Sequence, residues 1–96
     1  MKAVTHEGYL QITYRHGRPM AAYYHLPRQA EAAATRVARS REAPSGLVVD
    51  ENPQGRALGI EITEPAAVTL GVFNGLLDEL GFERVTAAEL APLTAA

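Results

Sequence analysis

The side chains able to do chemistry in this chain are three histidines, His6, His16 and His25, and a set of carboxylates that includes Asp50, Glu51 and Glu61. Imidazole and carboxylate together could hold a transition metal or share acid–base work. Their spacing argues against both. Ten and nine residues separate the histidines, and there is neither a His-x-His pair nor a His-Glu-x-x-His helix face to bring two imidazoles to one ion. The Asp50-Glu51 corner lacks the regularly spaced oxygen donors of a calcium loop. Asp50 is expected instead to cap backbone N–H groups of its own turn. Ser40 and Ser45 are the only serines, and neither sits in a nucleophile elbow. Gly55-Arg56-Ala57-Leu58-Gly59 lacks the Lys-Ser/Thr ending of a phosphate loop. The chain has no cysteine, which removes thiol catalysis, thiolate metal sites and disulfides. No catalytic residue, metal or cofactor is assigned.

Two constellations remain as binding candidates. Glu61 lies between two isoleucines and shares its parity with Ala57 and Gly59. The glycine removes a side chain from that face of the strand, so Gly59, Glu61 and the nearby strand end at His25 outline a candidate pocket. Arg36, Arg39 and Arg41 outline an electropositive strip suited to an acidic partner. The charge distribution agrees with such a strip: residues 1–41 hold seven basic and two acidic side chains, residues 42–96 two basic and nine acidic. That asymmetry can steer a partner, or pair one copy with another head to tail. Arginine also binds phosphate, so a DNA-binding regulatory role through Arg36, Arg39 and Arg41 is a further alternative. A net charge of −2 and the lack of a helix-turn-helix or aromatic–basic module argue against nucleic acid as the main partner.

These side chains need elements to hold them. Tyr9 to Arg15 alternates, with Leu10, Ile12 and Tyr14 on one side and Gln11, Thr13 and Arg15 on the other, the period of a half-buried strand. His16-Gly17-Arg18-Pro19 reads as a turn. Met20, Ala22, Tyr24 and Leu26 then form the apolar parity of a second strand, with Ala21, Tyr23 and His25 opposite. Gln29 to Ala38 is helical on propensity, yet Val37 is its only large aliphatic residue. A loop or short helical turn over 27–33 and an arginine-bearing edge strand near 34–41 fit better, because such an edge resists sheet addition. Pro44-Ser45-Gly46 is a turn, and strands of about 47–50 and 56–62 flank the acidic corner.

From Pro65 the period changes. Leu70, Phe73, Leu76, Leu77 and Leu80 lie at helical spacing, and Gly81 is placed to end the helix. Gly71 and Gly75 weaken it by about 1 kcal/mol each relative to alanine, and would admit a sheet or a partner helix closely. Leu70, Phe73, Leu77 and Leu80 are the residues expected at the helix–sheet or subunit contact. Thr86-Ala87-Ala88-Glu89 is a capping box that opens a short helix of about 87–91, stopping near Pro92. Strands first and helices last predict an α+β fold: a four- or five-stranded antiparallel meander with one or two C-terminal helices packed on one face.

The hairpin carries one family likeness. Val48-Val49-Asp50-Glu51, the turn, and Gly55-Arg56-Ala57-Leu58-Gly59-Ile60-Glu61-Ile62 resemble the DUF2283 family of small prokaryotic proteins. There a strand enters an acidic turn closed by glycine and leaves through a segment ending in Gly-Ile-Glu. The resemblance covers residues 8–64 and is specific over 48–62. Tyr9 to Arg15 and Ala22 to Leu26 stand for the family's first strands, and His6-Glu7-Gly8 replaces an Asp-rich opening common among its members. The resemblance implies a compact sheet-based fold. Because some relatives are encoded beside small toxin-like proteins, it also implies an antitoxin or inhibitor role, and it carries over no catalytic residue.

Ninety-six residues make one domain over 1–96, with 1–7 and 93–96 expected to be loose. A core this small gains from self-association, so a homodimer is expected, with a small protein as a further partner. The N-terminus lacks an apolar signal core and no apolar run approaches a bilayer span, which makes a cytoplasmic protein without membrane contact the expectation. The function expected is a small non-enzymatic protein-interaction domain. The alternative is a small-molecule-binding protein or minor enzyme with its pocket near Glu61.

Overall fold

The computed structural model describes residues 4–29 and 35–94. The period-two segments form strands β1 (Val4–His6), β2 (Tyr9–Arg15), β3 (Arg18–His25), β4 (Arg28–Gln29), β5 (Arg39–Ala43), β6 (Leu47–Glu51) and β7 (Ala57–Ile62). Five of them make one antiparallel sheet in the order β2-β3-β7-β6-β5, and β1 pairs with β4 in a separate two-stranded patch. The α+β class is as predicted, but the sheet is not a simple meander. After β3 the chain crosses to the far edge, lays down β5, and returns through β6 so that β7 pairs with β3. The composition gives the reason. β7, with Ile60 and Ile62 buried, takes the centre, while arginine-bearing β5 takes an edge where its charges stay solvated.

Local chemistry fixes the turns. Arg15 and Arg18 pair across a two-residue connection in which His16 and Gly17 both have positive φ, 53° and 76°. That is the demand of a type I′ hairpin, whose twist matches its strands. The β6–β7 corner is organised by Asn52 rather than by Asp50. Asn52 is 1% exposed, and its Oδ1 accepts from the backbone N–H of Gln54 at 3.0 Å and of Arg56 at 2.9 Å. The predicted capping role therefore belongs to Asn52, two residues further on, which leaves the Asp50 carboxylate for other work. The edge strand begins at Arg39 instead of near residue 34. Of the loop or helical turn expected at 27–33, Arg28–Gln29 pairs with β1, and 30–34 lie outside the described residues.

One face of the sheet is covered. Helix α1 (Leu70–Leu80) is capped by the Thr69 hydroxyl, which accepts from the Val72 N–H at 3.1 Å, and ends on left-handed Gly81. Helix α2 (Ala87–Leu90) opens with the predicted Thr86–Glu89 capping box. Phe73, Leu76, Leu77, Val85, Leu90 and Leu93 pack on Ala22, Tyr24, Leu26, Leu47, Val49, Ile60 and Ile62. The Tyr24 and Phe73 rings meet edge-on at 5.3 Å. Between the helices, Asn74 clamps the backbone of Val85 in both directions, donating to its carbonyl at 3.0 Å and accepting from its N–H at 2.8 Å. Of the four contact residues expected on α1, Phe73 and Leu77 are buried, Leu80 is partly buried against the core, and Leu70 is 37% exposed. A Cβ on Gly71 or Gly75 would meet open space, so these glycines admit neither the sheet nor another helix of this chain. The looseness expected at the ends falls partly on residues outside the description; within it, Val4–His6 is paired and Leu93 is buried.

Candidate functional site: the uncovered face of the sheet

Among the described residues the helices lie on one side only, so the opposite parity of each strand faces away from them. Register sets those side chains in two continuous rows. One runs Tyr9, His25, Gly59, Asp50, Ser40 across all five strands, and the other runs Gln11, Tyr23, Glu61, Val48, Glu42. Five strands from two stretches of the chain, residues 9–25 and 39–62, thus converge on this face.

At the centre is Asp50, only 6% exposed. Its Oδ1 accepts from the Ser40 hydroxyl at 2.6 Å and its Oδ2 from the Tyr23 hydroxyl at 3.0 Å. The Tyr23 ring reaches Asp50 by lying over Gly59, where any Cβ would land on the ring. The lane foreseen beside Glu61 is therefore filled at Gly59 by Tyr23, and the glycine serves that close approach. Glu61 shares a side-chain hydrogen bond with Asp50. That bond, then partial burial, then repulsion from the Asp50 charge hold the Glu61 carboxyl above the usual glutamate range.

Around this centre the surface is aromatic and amide-bearing. Tyr9 stacks on the His25 ring at 4.3 Å and 13°, and Tyr23 meets the same imidazole edge-on at 4.7 Å. His25 Nε2 lies 2.8 Å from Gln11 Oε1. Among the described residues no buried side-chain nitrogen or oxygen lacks a hydrogen-bond partner. Its relief is shallow. Glu61 lines an open depression of about 300 Å³ with Gln11, Thr13, Ala21, Tyr23 and Thr63, and a second of about 330 Å³ lies by Glu42, Gly46, Val48 and Thr63.

The residues singled out from sequence are thus divided. Glu61, His25 and Gly59 share this face, although His25 and Gly59 lie beside the depression rather than in its wall. Arg39 and Arg41 sit on the other side of β5, where they bracket Glu51 at 3.7 and 3.1 Å. Arg36 is exposed ahead of that strand. The strip is therefore not a continuous free cation row, since Glu51 neutralises part of it. Tyr9, Gln11, Tyr23 and Ser40 belong to no motif in the sequence. For Tyr23 the signal was its parity opposite the core together with a strand glycine elsewhere; for Ser40 no signal reaches beyond alternation.

Chemically the face offers carboxyl, phenol, imidazole and amide groups on a wide, nearly flat platform. Ser40 directs its hydroxyl at a carboxylate, not at an imidazole that could activate it as a nucleophile. Among the described residues no helix is long and apolar enough to cross a membrane, and no cluster of three or more His, Asp or Glu side chains could hold a metal ion. Neither a family model, nor a curated protein, nor a solved structure matches this chain.

Proposed function

We propose that this chain is a small non-enzymatic interaction domain that binds a macromolecular partner through the uncovered face of its sheet. The observation that carries this reading is the preassembled platform of Tyr9, Gln11, Tyr23, His25, Asp50 and Glu61 on a sheet whose other face is packed by helix. A flat surface with its polar groups already ordered suits recognition by another protein, because less side-chain entropy is lost on binding. Exposed aromatic anchors supply the burial. An antitoxin- or inhibitor-like role, as the DUF2283 resemblance implies, is the stoichiometric form of this function. A cytoplasmic setting is part of the same proposal.

A second reading, a small polar ligand beside Glu61, draws on the depression lined by Gln11, Thr13 and Tyr23; its openness to solvent favours a protein partner instead. The test is affinity capture from the native organism with three proteins: wild type, Tyr9→Glu/Gln11→Glu on the uncovered face, and Leu70→Glu on the helix. Recovery of a stoichiometric partner by wild type and Leu70→Glu, with loss in the double variant, is expected. Equal capture by all three would rule the face out.

A further inference from the structure

The proposed recognition face sits beside an element that the core does not need. β3 runs from Arg18 to His25, but β7 pairs only with Ala22 to His25. Residues Thr13 to Ala21 therefore leave the sheet as a two-stranded arm, extending about 13 Å at the usual rise per residue, and the molecule measures 39 Å along its long axis against 25 and 23 Å across. An isolated two-stranded ribbon is marginally stable in water, so such an arm gains from a surface to lie on.

The arm has a definite chemistry. From Tyr9 to Arg28 the chain carries no acidic residue. Arg15 and Arg18 are cross-strand partners; alternation along β2 from Thr13 puts Arg15 on the uncovered-face side, and the register shift after Thr13, which leaves Met20 without a partner across the strand pair, brings Arg18 to that side with it. Tyr14, exposed at 53%, shares the parity of Ile12 and so belongs to the reverse side, and Met20, exposed at 47%, is the extra residue at the register shift. At the base of the arm, on the same side as the arginines, lies the depression lined by Gln11, Thr13, Ala21, Tyr23, Glu61 and Thr63. Glu42 and Glu61 stand in one row across that face, and the segment 42–96 that supplies them is strongly acidic.

We infer that the occupant of this face is a second copy of the chain, its arm laid across the depression so that Arg15 and Arg18 of each copy meet Glu61 of the other. The inference rests on the uncovered face being the recognition surface. A two-fold axis in the plane of the sheet, perpendicular to the strands at the arm base, turns the second copy over and reverses its arm. Each arm then overlies the other's body, the contact is isologous, and it closes at two copies. The basic arm cannot satisfy itself on its own face, because it projects away from the Glu61 row; the site is complete only when the partner copy contributes its arginines.

Charge exchange tests this with its own folding control. Arg15→Glu/Arg18→Glu alone, and Glu61→Lys alone, each place like charges at both contacts, and each is expected to weaken self-association by more than about tenfold. Mixed, the two variants present opposite charges at both contacts, and a 1:1 heterodimer is expected by native mass measurement. Tyr14→Ser on the reverse side is expected to leave the dimer intact. A wild-type monomer at 100 µM (roughly, a concentration at which a Kd tighter than 10 µM would give mostly dimer) would overturn the inference. So would a dimer indifferent to the charge swaps, or one lost with Tyr14→Ser. If wild type is monomeric yet Tyr9→Glu/Gln11→Glu still abolishes capture of a cellular partner, the second copy fails as occupant while the recognition face stands.

Discussion

Glu61 stands beside Asp50 in the middle of the uncovered face. Its carboxyl is raised by the hydrogen bond with Asp50, by partial burial and by the Asp50 charge. A carboxyl raised in the folded state contributes stability that is full below the ordinary glutamate value of about 4.3 and is lost as pH rises through the folded value. Glu61→Gln keeps a hydrogen-bond donor toward Asp50 without the charge. It is expected to raise Tm at pH 7 and to leave Tm unchanged near pH 4, read by thermal melts at both pH values. Tyr24 is raised too, by burial first and then by the charges of Glu89 and Glu7, so its contribution is full at neutral pH and is lost only above about pH 10. Gly59 is the companion case. Gly59→Ala puts a methyl group into the Tyr23 ring and is expected to cost about 1–3 kcal/mol in denaturant unfolding, with displacement of the tyrosine from Asp50. That a strand glycine marked a close approach could be inferred from type and position. That the visitor was Tyr23 could not, because it comes from a strand that only tertiary pairing sets beside β7.

At the scale of elements, the regular pieces were legible where one period ran long enough to dominate. Strands β2, β3, β6 and β7 and both helices follow from alternation, helical spacing and capping chemistry. The crossover to β5 was not legible, since nothing local says whether a hairpin's next strand joins its near or its far edge; burial of the apolar β7 decides it. The Asp50-to-Asn52 shift of the turn cap was also hidden, both side chains being able to accept backbone N–H groups. Helix α1 offers two opposed tests. Gly75 lies on its exposed side with open space at Cβ, so Gly75→Ala is expected to stabilise the fold by about 1 kcal/mol through helix propensity alone. Asn74 holds Val85 by two hydrogen bonds, so Asn74→Ala leaves backbone groups unpaired and is expected to cost about 1–3 kcal/mol. Urea unfolding of the two variants against wild type reads both, and a Gly75→Ala protein less stable than wild type would show that the outer side of the helix is in contact with something.

At the scale of the whole molecule, the fold divides its labour between two faces. Helix covers the apolar parity and supplies the core, while the opposite parity gathers Tyr9, Gln11, Tyr23, His25, Asp50 and Glu61 into a fixed platform flanked by a basic arm. The charge split between residues 1–41 and 42–96, visible from composition, maps onto this plan only in part, because Glu51 engages Arg39 and Arg41 while Arg15 and Arg18 are left on the arm. On the proposed reading, the uncovered face is where this chain associates, first of all with itself. The most direct measurement is a series of amide NMR spectra across dilution from millimolar to micromolar concentration. Shifts at Gln11, Arg15, Arg18, Tyr23 and Glu61, with the Leu70–Leu80 helix silent, are the expected result. Shifts confined to the helix, or none anywhere, would contradict it.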